Sequence, residues 1–511
     1  MPVARTSAMA LIGMHGELVD IEVDQGDGIP YVNLIGLPDA SLNEAKDRIR
    51  SATANSECRL PSKRFTVNLS PAALPKHGSG FDLGIALAML AAGGIVRPES
   101  VASVVHIGEL GLDGRVRAVP GVLPAVLAAQ RAGRTTIMVP AVARREAELV
   151  DGIRVVPVRS LREAAIWHGA DLDPDDETEE DPAASAPVDE SEHLPDLQDV
   201  VGNEEAVQAL VTAAAGGHHL FLLGPPGAGK TMLAMRLPGI LPPLDMEAAI
   251  ECASVRSLSG LPVLALPTVP PFEAPHHTAS APAIIGGGTG IIRPGAIARA
   301  ANGILFLDEC PEFSRVALDA LRQPLESGEI TIQRANAVAR FPANVQLVLA
   351  ANPCPCGRLG DAECACTPMA RRRYLGRLSG PLLDRVDIQL TVRRITAVAM
   401  RAAADRAGRL TSSAAAARVV NARATAAERL RGTPWRRNAD VAGAWLRARE
   451  HRLSRSATAD LDRALEKGRI TMRGYDKVVR VAWTVSDLDG RSSPGATEVS
   501  TALGFRTAVA A

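Results

Sequence analysis

The chain has 511 residues, 47% hydrophobic and 22% charged, proportions of a globular protein long enough for two to four separately cored domains. Aromatic residues make up only 3%, so the cores must be aliphatic, and no apolar run reaches the roughly 18 residues a membrane span needs. The net charge of −1 hides an uneven distribution: residues 171–193 hold eleven acidic side chains and no Lys or Arg, leaving +10 for the remainder.

The N-terminus, Met1-Pro-Val-Ala-Arg, lacks the apolar region of a secretory leader. Seven cysteines, four of them clustered, favour a reducing compartment over disulfides, so a cytoplasmic location is expected. Residues 1–168 alternate strand-like runs (19–23, 65–69, 104–107, 136–139) with helical ones (41–54, 82–92, 122–132), which predicts an α+β domain. Residues 169–193 cannot bury apolar area and read as a disordered, self-repelling linker. Residues 194–392 alternate strands and helices again, an α/β pattern, and residues 393–511 turn helical. That last part carries 23 Lys and Arg against 11 Asp and Glu, which fits a solvated surface and nucleic-acid contact about equally.

An apolar run, His219-Leu-Phe-Leu-Leu223, leads into Gly224-Pro225-Pro226-Gly227-Ala228-Gly229-Lys230-Thr231 and then into a helical start. Strand, glycine-rich loop and helix in this order form a cradle for nucleotide phosphates. The glycines let the backbone aim its N–H groups at phosphate oxygens, and the helix N-terminus adds partial positive charge. Lys230 can reach the β- and γ-phosphates, and the Thr231 hydroxyl can ligate Mg²⁺. Gly303-Ile-Leu-Phe-Leu-Asp308-Glu309 is a second buried strand, ending in two carboxylates. Asp308 is placed to hold Mg²⁺ and Glu309 to act as general base toward the attacking water. A third, Gln346-Leu-Val-Leu-Ala-Ala-Asn352, delivers an amide at its carboxyl end, where open α/β sheets bind ligands.

Downstream, Ser379-Gly-Pro-Leu-Leu-Asp384-Arg385-Val-Asp387 puts Arg385 in a tight polar turn, where a surface ion pair with Asp384 or Asp387 is the plainer expectation. Arg473 stands near the start of an amphipathic helix over 470–488. Cys354, Cys356, Cys364 and Cys366 form two C-x-C pairs in a polar loop, and four thiolates can close a tetrahedral structural Zn²⁺ site. The C-x-C spacing is tighter than the usual C-x₂₋₄-C, so four reduced surface cysteines stay a live alternative. His276 and His277 are adjacent, and neighbours on a regular element point apart, which argues against a shared metal.

Phosphate loop, Asp-Glu strand, Asn-ended strand, turn arginine and helical arginine, in this order, resemble an AAA+ ATPase. Pro275-His-His-Thr-Ala-Ser280, Ile285-Gly-Gly-Gly288, Leu321-Arg-Gln-Pro-Leu-Glu326, Asn352-Pro-Cys-Pro-Cys-Gly357 and Leu382-Leu-Asp-Arg-Val-Asp387 resemble its magnesium-chelatase-like branch, most closely the YifB/ComM family. The resemblance implies a parallel-sheet P-loop core over 194–392 and a helical lid over 393–511. It implies ATP and Mg²⁺ as cofactors, Asn352 as sensor 1, Arg473 as the sensor-2 arginine, and Arg385 as a finger offered to a neighbouring subunit. A finger supplied in trans implies a hexameric ring, and the family implies a DNA translocase or helicase working on branched recombination intermediates in natural transformation. The rival expectation is a chelatase-like ATPase that drives metal insertion or remodels a protein partner. The glycine-rich segment Gly286–Gly290 with Arg293, which follows His276 and His277, resembles a pore-facing insertion where His277, Thr278 or Arg293 would touch DNA, and a capped surface loop is an equal expectation.

Residues 76–88, 111–121 and 126–133 are similar to the proteolytic domain of Lon-type proteases. The serine position falls on Asp82 and the lysine position on Leu123, so the resemblance implies the fold without the nucleophile and base that peptide hydrolysis needs.

Overall fold

The computed structural model describes residues 3–174, except 37–39, 75 and 77, and residues 194–507, except 289–291, 335–336, 360–363, 397–400 and 402–408. Most of the acidic stretch read as a disordered linker, 175–193, lies outside the described residues.

The N-terminal domain is built on a mixed seven-stranded sheet. Its strands are Ala4–Ile12 (β1), His15–Gly26 (β2), Tyr31–Ile35 (β3), Arg64–Ser70 (β4), Val105–His106 (β5), Thr136–Pro140 (β6) and Arg154–Val158 (β7), in the order β3-β4-β2-β1-β5-β6-β7. β1, β2 and β4 pair antiparallel, and the remaining pairs are parallel. Apolar residues alternate along β2 and β4, and Val19, Ile21, Val23, Phe65, Val67 and Leu69 face one core with helices Ala40–Asn55 (α1) and Asp82–Ala92 (α2). Helix α2 is buried almost all round, as its sequence, apolar on every face, requires. Helix Val122–Arg131 (α3) covers the other side of the sheet.

The second domain carries a five-stranded, wholly parallel sheet. Its strands are Leu220–Leu223 (β8), Phe272–Glu273 (β9), Ile304–Leu307 (β10), Gln346–Ala351 (β13) and Ile388–Thr391 (β14), ordered β9-β10-β13-β8-β14. A hairpin, Glu329–Arg334 (β11) with Ala337–Pro342 (β12), stands outside this sheet. Every residue of β10 and β13 is buried, because helices cover both faces, and such strands read as unbroken apolar runs. One face packs on helix Glu204–Gly216 (α4) and on C-terminal helices Ser412–Arg429 (α6), Arg455–Glu466 (α7), Met472–Leu488 (α8) and Ala496–Thr507 (α9) in one continuous core. The C-terminal helices are therefore packed onto the sheet domain with a shared core. Threonines start two of them: the Thr411 hydroxyl accepts from Ala414 N and that of Thr471 from Gly474 N, satisfying a free N–H at each first turn.

The acidic stretch suggests a clean division between N-terminal and sheet domains, and the structure corrects this. Ala253 from helix Met246–Leu258 (α5), together with Val263, joins the apolar cluster of Val122, Val126 and Ile137. The Glu146 carboxylate accepts from the Ser257 hydroxyl and from Leu123 N, and burial pushes its pKa up. Gly121 N donates to Ser257 O at 3.1 Å. Interfaces of this kind use the same apolar faces as domain interiors, so local sequence patterning cannot distinguish them.

Candidate active site

Strands β8, β10 and β13 run in register, Leu223 beside Ala351 and Leu307 beside Leu349, so all three end at one edge of the sheet. The residue after each end is the chemistry-bearing one: Gly224, Asp308 and Asn352. Gly227 (φ +74°) and Gly229 (φ +90°) take left-handed backbone, where an L side chain would be strained. This bends the loop around the Lys230 side chain. Its ammonium donates to Gly224 O at 2.7 Å, Pro225 O at 3.1 Å and Asn352 Oδ1 at 3.1 Å. Burial pushes the Lys230 pKa down, against the pull of Asp308 and Glu309. The Thr231 hydroxyl donates to Asp308 Oδ2 at 2.6 Å, which puts the two Mg²⁺ candidates side by side. This oxygen donor set and the buried amine suit a hard cation and a polyphosphate.

Glu309 itself adopts a left-handed conformation (φ +48°), uncommon for a residue other than Gly, and its N–H donates to Asp308 Oδ1 at 2.9 Å. Its carboxylate is half exposed, with His277 Nδ1 3.6 Å from Oε2. For His277 the structure corrects one premise of the sequence reading, that it and His276 lie on a regular element. Residues 277–278 form a turn, so the His276 and His277 rings lie 4.1 Å apart at a 34° tilt, where a strand or helix would splay them. His277 is thereby directed at the candidate general base. The adjacent-histidine motif, taken as a turn, carries the signal that would have found it.

The two arginines are elsewhere. Lys477 of α8 donates to Arg385 O at 2.8 Å and to Asp387 Oδ1 at 2.6 Å, while Asp387 N reaches His219 O, so Arg385 sits before the amino ends of β8 and β14. The phosphate loop follows their carboxyl ends, roughly 13 Å away along four residues of strand. Arg385 pairs with Glu326 at 2.6 Å, and not with Asp384 or Asp387, and donates to Pro381 O at 2.8 Å. Arg473 is exposed one helical turn before Lys477, at that same amino end. Lys230, Thr231, Asp308, Glu309 and Asn352 thus converge, and Arg385 and Arg473 do not join them within one protomer. Burial opposes ionisation of Asp387, but Lys477 and His218 outweigh it and hold the carboxyl well below the usual range.

The four clustered cysteines converge as well. Cys354 Sγ lies 3.4 Å from Cys356 Sγ and 3.9 Å from Cys364 Sγ, and all four sulfurs fall within 4.8 Å of one another. The Arg358 backbone N–H and the neighbouring thiols lower the Cys356 pKa to about 7.

In the N-terminal domain, Asp82 is buried and its carboxylate binds Arg48 twice, at 2.7 and 3.0 Å. Leu123 is core. Lys76 donates to Gly36 O and Pro71 O, and Ser79 to Glu109. No serine–lysine pair forms among these residues.

A glycine loop around a lysine, a Thr–Asp pair and a strand-end Asn on a parallel sheet define a P-loop nucleotide-binding core with a helical C-terminal domain. Residues 196–400 match the family model described as magnesium chelatase, subunit ChlI; residues 21–143 match subunit ChlI of Mg-chelatase, and residues 409–506 its C-terminal part. An uncharacterised protein of Mycobacterium tuberculosis is 48% identical over 99% of both chains. The competence protein ComM of Haemophilus influenzae is 41% identical over all of this chain and 98% of its own, and YifB of Escherichia coli 42% over 75% and 74%. A Lon protease of Mycolicibacterium smegmatis is 29% identical over a third of this chain and 22% of its own. The chain belongs to the magnesium-chelatase-like family of ComM and YifB, membership that implies ATP and Mg²⁺ use and ATPase activity. Among the described residues no helix is long and apolar enough to cross a membrane.

Proposed function

We propose that the protein is an ATP-driven motor that works on DNA as a hexameric ring, moving branched recombination intermediates during uptake and integration of foreign DNA. The observation that carries this reading is the division of the ATP machinery between opposite ends of the sheet. Lys230, Thr231, Asp308, Glu309 and Asn352 stand at the carboxyl ends, and Arg385 and Arg473 at the amino ends. One protomer binds the nucleotide, and a second must supply the arginines. A closed head-to-tail ring satisfies every such interface.

In the assembled site, Glu309 takes a proton from water, the water oxygen bonds to the γ-phosphorus, and the bond to the β–γ bridging oxygen breaks to release ADP. Lys230 and the neighbour's Arg385 neutralise charge on the γ-phosphate, Asn352 orients the water, and His277 steadies Glu309. Mg²⁺, when bound by Thr231 and Asp308, neutralises charge on the β- and γ-phosphates. A cytoplasmic setting suits this chemistry and the seven free thiols.

DNA is the favoured track because the C-terminal domain interleaves exposed guanidinium groups with aromatic rings. Trp435, Trp445 and His451 are half-buried, with Trp445 stacked on His451 at 3.6 Å and 16° and edge-on to Trp435 at 6.0 Å. Arg436, Arg449, Arg452 and Arg455 are exposed around them. Phosphate-pairing cations beside stacking faces suit single-stranded nucleic acid. The test is ATP turnover with and without forked DNA, together with DNA affinity across a salt series. Stimulation by DNA and a steep loss of affinity with salt are expected, and Trp445→Ala should weaken single-strand binding about tenfold without changing DNA-free turnover. A rate indifferent to every DNA form, with no salt-sensitive binding, would overturn the DNA reading.

A further inference from the structure

We propose that Cys354, Cys356, Cys364 and Cys366 hold one Zn²⁺ ion, and that this ion keeps the phosphate loop in its nucleotide-accepting shape. Four sulfurs about 2.3 Å from one tetrahedral ion stand about 3.8 Å apart. The observed separations of 3.4, 3.7 and 3.9 Å bracket that value, and the full set lies within 4.8 Å. An iron–sulfur cluster spreads its thiolates over several metal atoms and needs a wider cage. The surroundings suit a dianionic ZnS₄ centre: the Arg371 guanidinium approaches Cys364 Sγ at 3.9 Å, and the Arg358 backbone N–H donates to the Cys356 sulfur. Binding releases the thiol protons to solvent and leaves four thiolates on the ion.

The loop carrying these ligands leaves β13 directly after Asn352, the residue that accepts from Lys230. Gly357 N closes a turn onto Cys354 O at 3.0 Å. Gly357, with φ +72°, then lies so close to the Pro226 ring that a β-carbon would fall 2.6 Å from its Cγ and Cδ. Pro226 is the third residue of the phosphate loop, and its carbonyl accepts from Arg394 Nε at 3.2 Å. Of the described loop residues 353–359 and 364–366, only Cys354 and Gly357 are buried, and a metal cross-link between the loop's two ends adds restraint that apolar burial does not supply there.

This inference rests on the phosphate-loop reading, so zinc content and nucleotide affinity are to be measured separately on the full-length chain. Elemental analysis of protein purified without added metal should find one zinc per chain. Stripping the zinc with a chelator should weaken binding of a fluorescent ATP analogue by about tenfold or more, the scale on which supporting shells act, and adding Zn²⁺ should restore it. Far-UV circular dichroism should show the helices retained throughout. Cys364→Ser should reproduce the loss without rescue by Zn²⁺. Absence of stoichiometric zinc would overturn the site. Zinc that binds and is removed with nucleotide affinity unchanged would overturn the coupling. Zinc-loaded protein that binds no nucleotide would overturn the phosphate-loop reading itself, and the coupling with it.

Discussion

Arg385→Ala tests the division of the ATP site between protomers, and the structure sets the size of its effect. In an isolated protomer the guanidinium rests on Glu326 at 2.6 Å, in a pair whose side chains are 20% and 73% exposed. Exposed pairs of this kind contribute about 0–1 kcal/mol. Releasing Arg385 with Glu326→Gln should therefore raise turnover by no more than about fivefold. Losing an arginine finger costs about 10³–10⁵ in kcat, so Arg385→Ala should nearly abolish hydrolysis while ATP affinity changes little. Lys230→Ala should abolish nucleotide binding at its own site but leave its Arg385 competent for the next. In an equal mixture of the two inactive variants, about a quarter of the interfaces pair an intact loop with an intact finger. Steady-state phosphate release from the reassembled mixture should recover toward that fraction. If mixed rings form and stay inactive, or if Arg385→Ala rings turn over at the parental rate, the assignment of Arg385 to a neighbour's nucleotide is wrong.

Two further outcomes follow from groups far from the nucleotide. Lys477→Met strips the buried Asp387 of its 2.6 Å partner and should lower stability by roughly 3–5 kcal/mol in urea unfolding. Adding Asp387→Asn should recover part of that loss, and strictly additive losses would show that the pair is not coupled. Burial holds His168 and His219 near pKa 4, and burial with the adjacent His168 holds His106 well below the ordinary value. Because the unfolded chain then binds more protons, stability is full above about pH 6.5 and falls toward pH 4 by about 1.4 kcal/mol per unit for each group. His106 and His168 share a proton between Nε2 atoms 2.9 Å apart, so protonating both breaks the bond. Equal unfolding temperatures at pH 7.5 and pH 5 would contradict this.

The phosphate site is legible in the amino-acid sequence because parallel strands covered on both faces become unbroken apolar runs, and 304–307 and 346–351 announce themselves that way. The N-terminal strand β1 is not. Its buried positions include Thr6 and Ser7, and Thr6 is satisfied by His106, a hundred residues on. Strand β9 has two residues, too few to show any period. The location of Arg473 is hidden for a different reason. Its helix lies where it does because Lys477 finds Asp387 and Thr484 finds His218, contacts spanning 90 and 266 residues that leave no trace in local patterning. Order along the chain picks out the residues that converge at the carboxyl ends of the strands. Where the two arginines stand is decided by those buried pairs: by drawing α8 onto the amino ends of the strands, they hold Arg385 and Arg473 away from this chain's own phosphate loop.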